Sequence, residues 1–556
     1  MSYFMKGRLI SILYPVLFFA IPIFPHLTLN AQQSTIQDPF IDYERVLQIG
    51  GITPVHNVSD QPYSFRFITQ LDTLPDHPWN YLPSYTDYQF QRSHFTLRAY
   101  DPEINNFWRN LSPGGINNGA HWEGRGFTNS VSAGFHIRYR FLTASFRPIM
   151  IYNQNREFEL SALPVRSGRS EFSYPFANID QPQRFGDGSF RTFDPGQSYI
   201  RAEAAGYEAG LSNQNRWWGP ALHYPIILSN NAPGFWHFFA GTAEPKDIYI
   251  GDLEATVLWG KLHESDYFDQ QSFNDERYIT GCTVTLNPKP VPNLSLGFSR
   301  IFYRVLPPEG IPVSELFKSF EAFTKSRFIS SDALSGDDEY SQMLSLHGRW
   351  VFPQSGFELY GEWARNDHSW NFRDFLGEPE HSRAYMAGFQ KSFLLSNNNI
   401  LAVNAEIVQL ENSNTGDFRA HPSYYAHHIV TQGYTHRGQV LGTGYGPGSN
   451  SQILQGNYYF RNGRLGGWAR RTVHNNDYLY NSNAMMNLPG NANTPKYWMH
   501  NFEMTFGSSL LYFYRQWETE LSLELTREYN NDYVYQNDRT HVSISARIRY
   551  QLSSLR

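Results

Sequence analysis

The stretch Val542-Ser543-Ile544-Ser545-Ala546-Arg547-Ile548-Arg549-Tyr550-Gln551-Leu552 alternates without a break between apolar and polar residues. One face carries Val, Ile, Ala, Ile, Tyr and Leu, and the other Ser, Ser, Arg, Arg and Gln. A period of two is a β-strand with one apolar and one polar side. The same alternation recurs at 131–139, 253–259, 401–407 and 521–525. These segments extend to about ten residues, longer than the five or six usual for a strand and enough for a tilted strand to cross a bilayer. Aromatic residues gather near strand ends, as at Tyr139, Phe141 and Tyr152 or Tyr512, Phe513 and Tyr514. Interfacial girdles of that kind explain how a chain with mean hydropathy −0.49 is also 16% aromatic. Lipid leaves no backbone group unpaired, which a closed barrel satisfies and an open sheet does not. The fold class is therefore all-β, an antiparallel transmembrane outer-membrane β-barrel.

Working outward from that stretch, candidate strands fall near 89–100, 128–139, 142–152, 198–211, 235–242, 248–261, 277–287, 293–304 and 341–353. They continue near 356–366, 382–394, 399–411, 424–435, 451–461, 463–475, 497–512, 517–529 and 540–552. That makes 18 strands, an even number as bacterial single-chain barrels require. Residues 1–31 read as a cleaved signal peptide, with Lys6 and Arg8 before an apolar run and Ala31 at the cleavage point. The mature protein is then exported to the outer membrane of a Gram-negative cell. Residues 32–85 are expected as a periplasmic N-terminal segment and 86–556 as the barrel. Within 312–328, Leu316, Phe317, Phe320 and Phe323 recur at helical spacing, with Ser314 as N-cap behind Pro312. Strand parity from a periplasmic N-terminus places this helix across the inner mouth, as a plug. An error of one strand moves it outside. The same parity puts the long connections 212–234, 262–276, 305–340, 367–381 and 412–423 on the periplasmic side.

Other classes are excluded or disfavoured. A single cysteine, Cys282, leaves no disulfide framework and no Cys-based zinc site. A net charge of −6 argues against a nucleic-acid partner. Glu358 and Glu362 flank Tyr360 on one strand face; a carboxylate pair suits glycoside hydrolysis, but lumen carboxylates facing Arg138, Arg547 and Arg549 are the commoner arrangement. His421, His427, His428 and His436 carry no supporting metal-ligand pattern. No catalytic residues, metal or cofactor are expected.

Several blocks resemble the Wzi capsule-assembly family. Asn215-Arg216-Trp217-Trp218-Gly219-Pro220 is followed by Ile227-Leu228-Ser229-Asn230-Asn231-Ala232. The region 356–393 carries Glu362, Asp367, Phe375, His381, Ser382 and Tyr385. His436-Arg437-Gly438-Gln439-Val440-Leu441-Gly442 leads to Gly446-Pro447-Gly448-Ser449, and the helix block holds Glu315-Leu316-Phe317 and Phe320-Glu321-Ala322-Phe323. The resemblance implies a non-enzymatic, lectin-like barrel of eighteen strands, closed at the periplasmic end by short helices. Its expected partners are capsular or exopolysaccharide, outer-membrane lipid and other polysaccharide-export components, and its expected role is assembly or retention of polysaccharide at the cell surface.

Each marked residue has two readings. Arg216, Trp217 and Trp218 could form a sugar platform, indole faces stacking on pyranose rings and Arg donating to hydroxyls or carboxylates; packing of a connection against the wall is favoured. Asn230 and Asn231 are equally suited to turns. The family motif also marks Glu362, Asp367, His436 and Arg437. Polysaccharide is expected instead at the loops near 101–127, 153–197, 476–496 and 530–538, which hold Trp108, Trp122, Tyr174, Tyr478, Tyr480, Tyr533 and Tyr535. The rival reading is a passive porin or sugar transporter with a charged lumen.

Overall fold

The computed structural model describes residues 38–62, 77–79 and 89–552, apart from 93, 176–177, 321–339, 367–371, 414–422, 482, 489 and 492–493. The predicted signal peptide lies outside the described residues.

Eighteen antiparallel strands close into one barrel. The first six are β1 (Phe95–Arg109), β2 (Gly126–Tyr139), β3 (Leu142–Phe146 continued by Ile149–Asn153), β4 (Phe190–Asp194 continued by Tyr199–Ala204), β5 (Tyr207–Ser212) and β6 (His237–Thr242 continued by Lys246–Asp247). Next come β7 (Gly251–His263), β8 (Glu276–Pro288), β9 (Leu294–Val305), β10 (Ser341–Phe352), β11 (Phe357–Asn366) and β12 (Arg383–Leu394). The last are β13 (Ile400–Gln409), β14 (Asn450–Phe460), β15 (Gly463–Val473), β16 (Phe502–Tyr514), β17 (Trp517–Tyr529) and β18 (Arg539–Tyr550). The barrel closes where β18 pairs with β1, Ser543 opposite Arg109 and Arg549 opposite Glu103. A register shift in β1 between Tyr100 and Glu103 accommodates Pro102, which has no N–H to give a ladder. Outward-facing Leu346, Leu465, Phe506 and Leu523 form part of the exposed apolar belt that meets lipid.

Residues 89–100 are not one strand, because Gln89–Arg92 folds back to pair antiparallel with Phe95–Arg98 of β1; two further assignments are corrected, and they offset each other. Residues 198–211 are the end of β4 and all of β5, folded back on each other at Ala205-Gly206, both with positive φ. Residues 424–435 are no wall strand: Tyr424, Tyr425, Val430 and Tyr434 are buried inside the barrel. Their apolar and aromatic content answers to a packed interior, which imitates a strand in composition. The count is unchanged, but parity between β5 and β13 is reversed. The connections 213–236, 264–275, 306–340, 367–382 and 410–449 therefore share one end with 110–125, 154–189, 474–501 and 530–538. The opposite end has only short turns such as 140–141, 205–206, 461–462 and 515–516. Short turns mark the periplasmic end and long loops the cell exterior. The long connections expected on the periplasmic side are extracellular, and so is the root of the 312–328 segment.

A different helix closes the inner mouth. In α1 (Pro39–Ile49), Asp38 caps the N-terminus through its side chain to the Phe40 amide, with Pro39 in the first turn where its missing N–H costs nothing. Phe40, Tyr43 and Leu47 pack with Trp79 on Tyr459, Leu511 and Phe513 beside the short turns. Trp79 Nε1 donates to the Phe460 carbonyl at 3.1 Å. The stretch expected as a periplasmic lead-in thus places α1 and residues 77–79 in the inner mouth.

The chain continues upward from α1 and meets a loop coming down. Asp60 and Gln61 pair with Trp218 and Trp217 in a two-residue antiparallel ladder. Around it, Ile226, Ile227, Tyr424, Tyr425, Tyr434 and Leu441 from two extracellular connections form an apolar core within the lumen. Wall carboxylates hold this plug. Glu406 accepts the Leu222, His223 and Tyr224 amides at 2.7, 3.0 and 2.6 Å and the Tyr360 hydroxyl at 2.9 Å. Glu362 accepts the Ile226 amide at 3.2 Å. Glu358 receives Arg45 Nε of α1 at 2.8 Å and Arg349 Nε of the wall at 2.7 Å. Amide donors turned from water find charged acceptors there, the stronger kind of hydrogen bond.

Candidate functional site

Two cavities open at the extracellular end, and their common wall is Trp122. The first, 490 Å³, lies between β1, the upper lumen wall and the inward loops, lined by Arg109, Trp122, Tyr174, Tyr445, Trp468 and Arg470. The second, 1270 Å³, is bordered by Trp122, Phe185, Phe190, Glu264, Tyr267 and Arg437. Gln439 is the other side chain common to both.

Each cavity couples aromatic surface to hydrogen-bonding groups. Trp122 lies 4.7 Å from Phe185, and Phe185 lies 5.5 Å from Tyr267, ring centre to ring centre. The backbone behind Trp122 is fixed, because its carbonyl and the Thr128 hydroxyl both accept from the Asn153 side-chain amide, at 2.5 and 2.9 Å. Cations in the first cavity each face a carboxylate: Arg109 and Glu123 at 2.7 Å, Arg470 and Glu524 at 3.2 Å, His474 and Glu503 at 3.2 Å. Charge is thereby nearly cancelled, while polar edges remain. In the second cavity Arg437 holds Asp194 at 3.2 Å. Burial, reinforced by Asp180 and Asp269, pushes the Glu264 carboxyl up to about 8.

The residues marked in the sequence separate into three groups. Trp122 and Tyr174 line the first cavity. Tyr478, Tyr480 and Tyr535 stand elsewhere on the extracellular connections. Tyr478 is half exposed, Tyr480 stacks on His500 at 3.9 Å and Tyr535 on Trp498 at 5.7 Å. Tyr533 is buried and its hydroxyl donates to the His474 and Asn475 carbonyls at 3.0 and 3.1 Å, so it ties two connections together. Trp108 is not in a loop. It lies on β1 opposite the outward Phe127 and Ile544, on the bilayer side.

The family-motif residues build the plug. Trp217 Nε1 donates to the Ala221 carbonyl at 3.2 Å and Trp218 Nε1 to Asp60 at 3.0 Å, and both indoles are buried. Arg216 lies over the Phe239 ring at 4.6 Å, with Nε 3.5 Å from His237. These contacts match the packing alternative, with the connection descending from the outside. Asn230 donates to the Asn117 carbonyl at 2.9 Å, while Asn231 accepts the Asn117 amide at 3.2 Å and donates to the Val440 carbonyl at 2.9 Å. Three connections are stapled by this pair. His436 Nδ1 accepts the His263 amide at 3.0 Å, and burial drives its imidazole well below the usual range. Arg437, next to it, reaches the second cavity. Asp367 and His421 lie outside the described residues. Sequence reasoning did not single out Glu264, Tyr267 or Trp468, because the walls they share are brought together from connections far apart in the chain.

A closed barrel with short turns within, long loops folded into its own lumen and aromatic-polar cavities outside is a plugged outer-membrane barrel. The chain belongs to the capsule assembly protein Wzi family, whose sequence profile matches residues 112–540. Among solved structures it is similar to Wzi of Escherichia coli, an outer membrane protein involved in group 1 capsule assembly and described as a carbohydrate-binding β-barrel. That likeness covers 93% of this chain and 99% of the other at 14% identity, with a TM-score of 0.62. Lower likeness is found to OccAB2 of Acinetobacter baumannii (11% identity, 81% and 97% covered, TM-score 0.37). A BenF-like porin of Pseudomonas fluorescens is comparable (10% identity, 82% and 99% covered, TM-score 0.39). No curated protein sequence matches the chain. The family and the barrel place the protein in the outer membrane.

Proposed function

We propose that the protein is a non-enzymatic lectin of the outer membrane that binds capsular or exopolysaccharide at its extracellular mouth and supports its assembly or retention on the cell. The observation carrying this is the pair of cavities that share Trp122 and Gln439 beside the apolar core of the lumen. Pyranose rings offer apolar faces to the aromatic side chains and hydroxyls to the surrounding amides and carboxylates. The paired charges of the first cavity suit hydroxyl-rich units better than a dense polyanion. Membership of a capsule-assembly family supports the same reading. The carboxylates considered for hydrolysis, Glu358 and Glu362, are engaged by α1, Arg349 and Ile226.

The test is a pull-down of the purified barrel on surface polysaccharide from the source cells, with planar-bilayer conductance on the same sample. Retention by the parent chain and its loss in Trp122→Ala are expected, with no steady large current. Large current without polysaccharide, together with no retention, would replace this reading by a passive porin.

A further inference from the structure

The helical turn Val313–Phe320, in the connection after β9, does not enter the lumen. It lies on the outer wall, over β7, β8 and β9. Trp259 Nε1 donates to the Leu316 carbonyl at 2.8 Å, and the Thr280 and Ser319 hydroxyls are 3.3 Å apart. Cys282 Sγ is 3.9 Å from the Ser319 carbonyl, and Arg304 Nη1 is 3.3 Å from Glu315. The wall residues in these contacts face outward. Trp259 is paired with Thr280 and Cys282 with Arg300, and the alternation of β9 puts Arg300 on the same side as Leu296, which is 48% exposed in the apolar belt.

The wall beneath and beside the turn carries polar and charged side chains among its apolar ones. Thr280, Arg300, Arg304 and Gln342 face outward there, and Arg300 is 1% exposed and donates to Gln342 at 2.9 Å. Charged side chains on the lipid face of a barrel are costly away from the interfaces. The turn reverses the polarity. It directs Glu315 and Ser319 to the wall and leaves Val313, Phe317 and Phe320 at 73%, 60% and 60% exposure. These three side chains continue the apolar belt of the strands, near the extracellular ends of β7 and β9.

We propose that Val313–Phe320 is an interfacial foot, with Val313, Phe317 and Phe320 seated among the acyl chains of the outer leaflet. Segments with one polar and one apolar side take that position at the boundary between headgroups and chains. The inference is independent of any polysaccharide, since the foot lies outside the barrel and away from the cavities.

The test places a nitroxide at Phe317→Cys and, separately, at Phe320→Cys in a Cys282→Ala background. The full chain is reconstituted in phosphatidylcholine vesicles, and heat-modifiable migration verifies the fold. Accessibility to oxygen and to a water-soluble nickel chelate is compared with Leu523→Cys on the lipid belt and Gln271→Cys in an extracellular loop. Both foot positions are expected to shift toward the oxygen-favoured ratio of Leu523→Cys. A ratio like that of Gln271→Cys at either folded variant overturns the proposal, as does protection from both reagents. The two positions are exposed, so a folding failure at one leaves the other to decide.

Discussion

Glu406→Ala is the most direct test of how the lumen is kept filled. The parent side chain is fully buried and accepts four hydrogen bonds, three from the consecutive amides of residues 222–224 and one from Tyr360. At about 1.5–3 kcal/mol for each bond to a charged group, the four together set a ceiling of about 6–12 kcal/mol. Water entering the vacated space lowers that figure toward about 3–5 kcal/mol, the usual cost of breaking a buried charged network. The loss falls on docking of the connection 213–236, because the barrel ladders do not use this side chain. The variant is expected to keep heat-modifiable migration, to be cut by protease within 213–236, and to show ionic current in a planar bilayer where the parent is closed. Glu406→Gln keeps one acceptor oxygen and is expected to fall between them. If Glu406→Ala is as closed and as protease-resistant as the parent, the carboxylate is not what holds the plug.

Glu264→Gln is expected to raise thermal stability by an amount that grows with pH. With the folded carboxyl at about 8 against 4.5 unfolded, the folded state holds the extra proton between those values and loses stability as pH rises through them. Melting at pH 5 and pH 9 checks this; an equal gain at both would contradict it. Tyr533→Phe removes the donor to two loop carbonyls and should cost about 1 kcal/mol, with polysaccharide retention unchanged, measured by melting and pull-down together. Trp108→Ala should likewise leave retention intact, since its side chain lies on the bilayer side. Loss of binding there would move the site to the barrel rim.

The wall was legible in the chain wherever a strand has lipid on one side and the lumen on the other. Residues 542–552 are such a case, and the structure pairs β17, β18 and β1 in the register that alternation requires. The pattern fails where that contrast is absent. Within 424–435, Tyr424, Tyr425, Val430 and Tyr434 are apolar because they pack inside the lumen, and 190–194 were missed because Pro195 and Gly196 interrupt β4. Sidedness depends on parity, so these local errors turned five connections to the wrong end without altering the count. Of the segment read as an amphipathic helix within 312–328, Val313–Phe320 is a helical turn with a polar and an apolar side and 321–328 lie outside the described residues, and amphipathicity does not state which surface such a turn lies on. At the candidate site, Trp122 could be marked as a loop aromatic. Its neighbours Phe185, Tyr267 and Gln439 come from other connections, and no spacing rule joins them.

The seam of the barrel joins its first and last strands to the inner helix in one cluster. Arg549 on β18 contacts Glu103 on β1 at 3.0 Å, Asp38 at the start of α1 at 3.2 Å, and Glu518 on β17 at 3.3 Å. The strand that closes the wall on β1 therefore also completes the seat of the inner helix. With the seam open, Asp38 and Glu103 would not share Arg549, and with it closed α1 lies inside a complete ring. Closure of the wall and seating of the inner helix are consequently coupled through one side chain, Arg549.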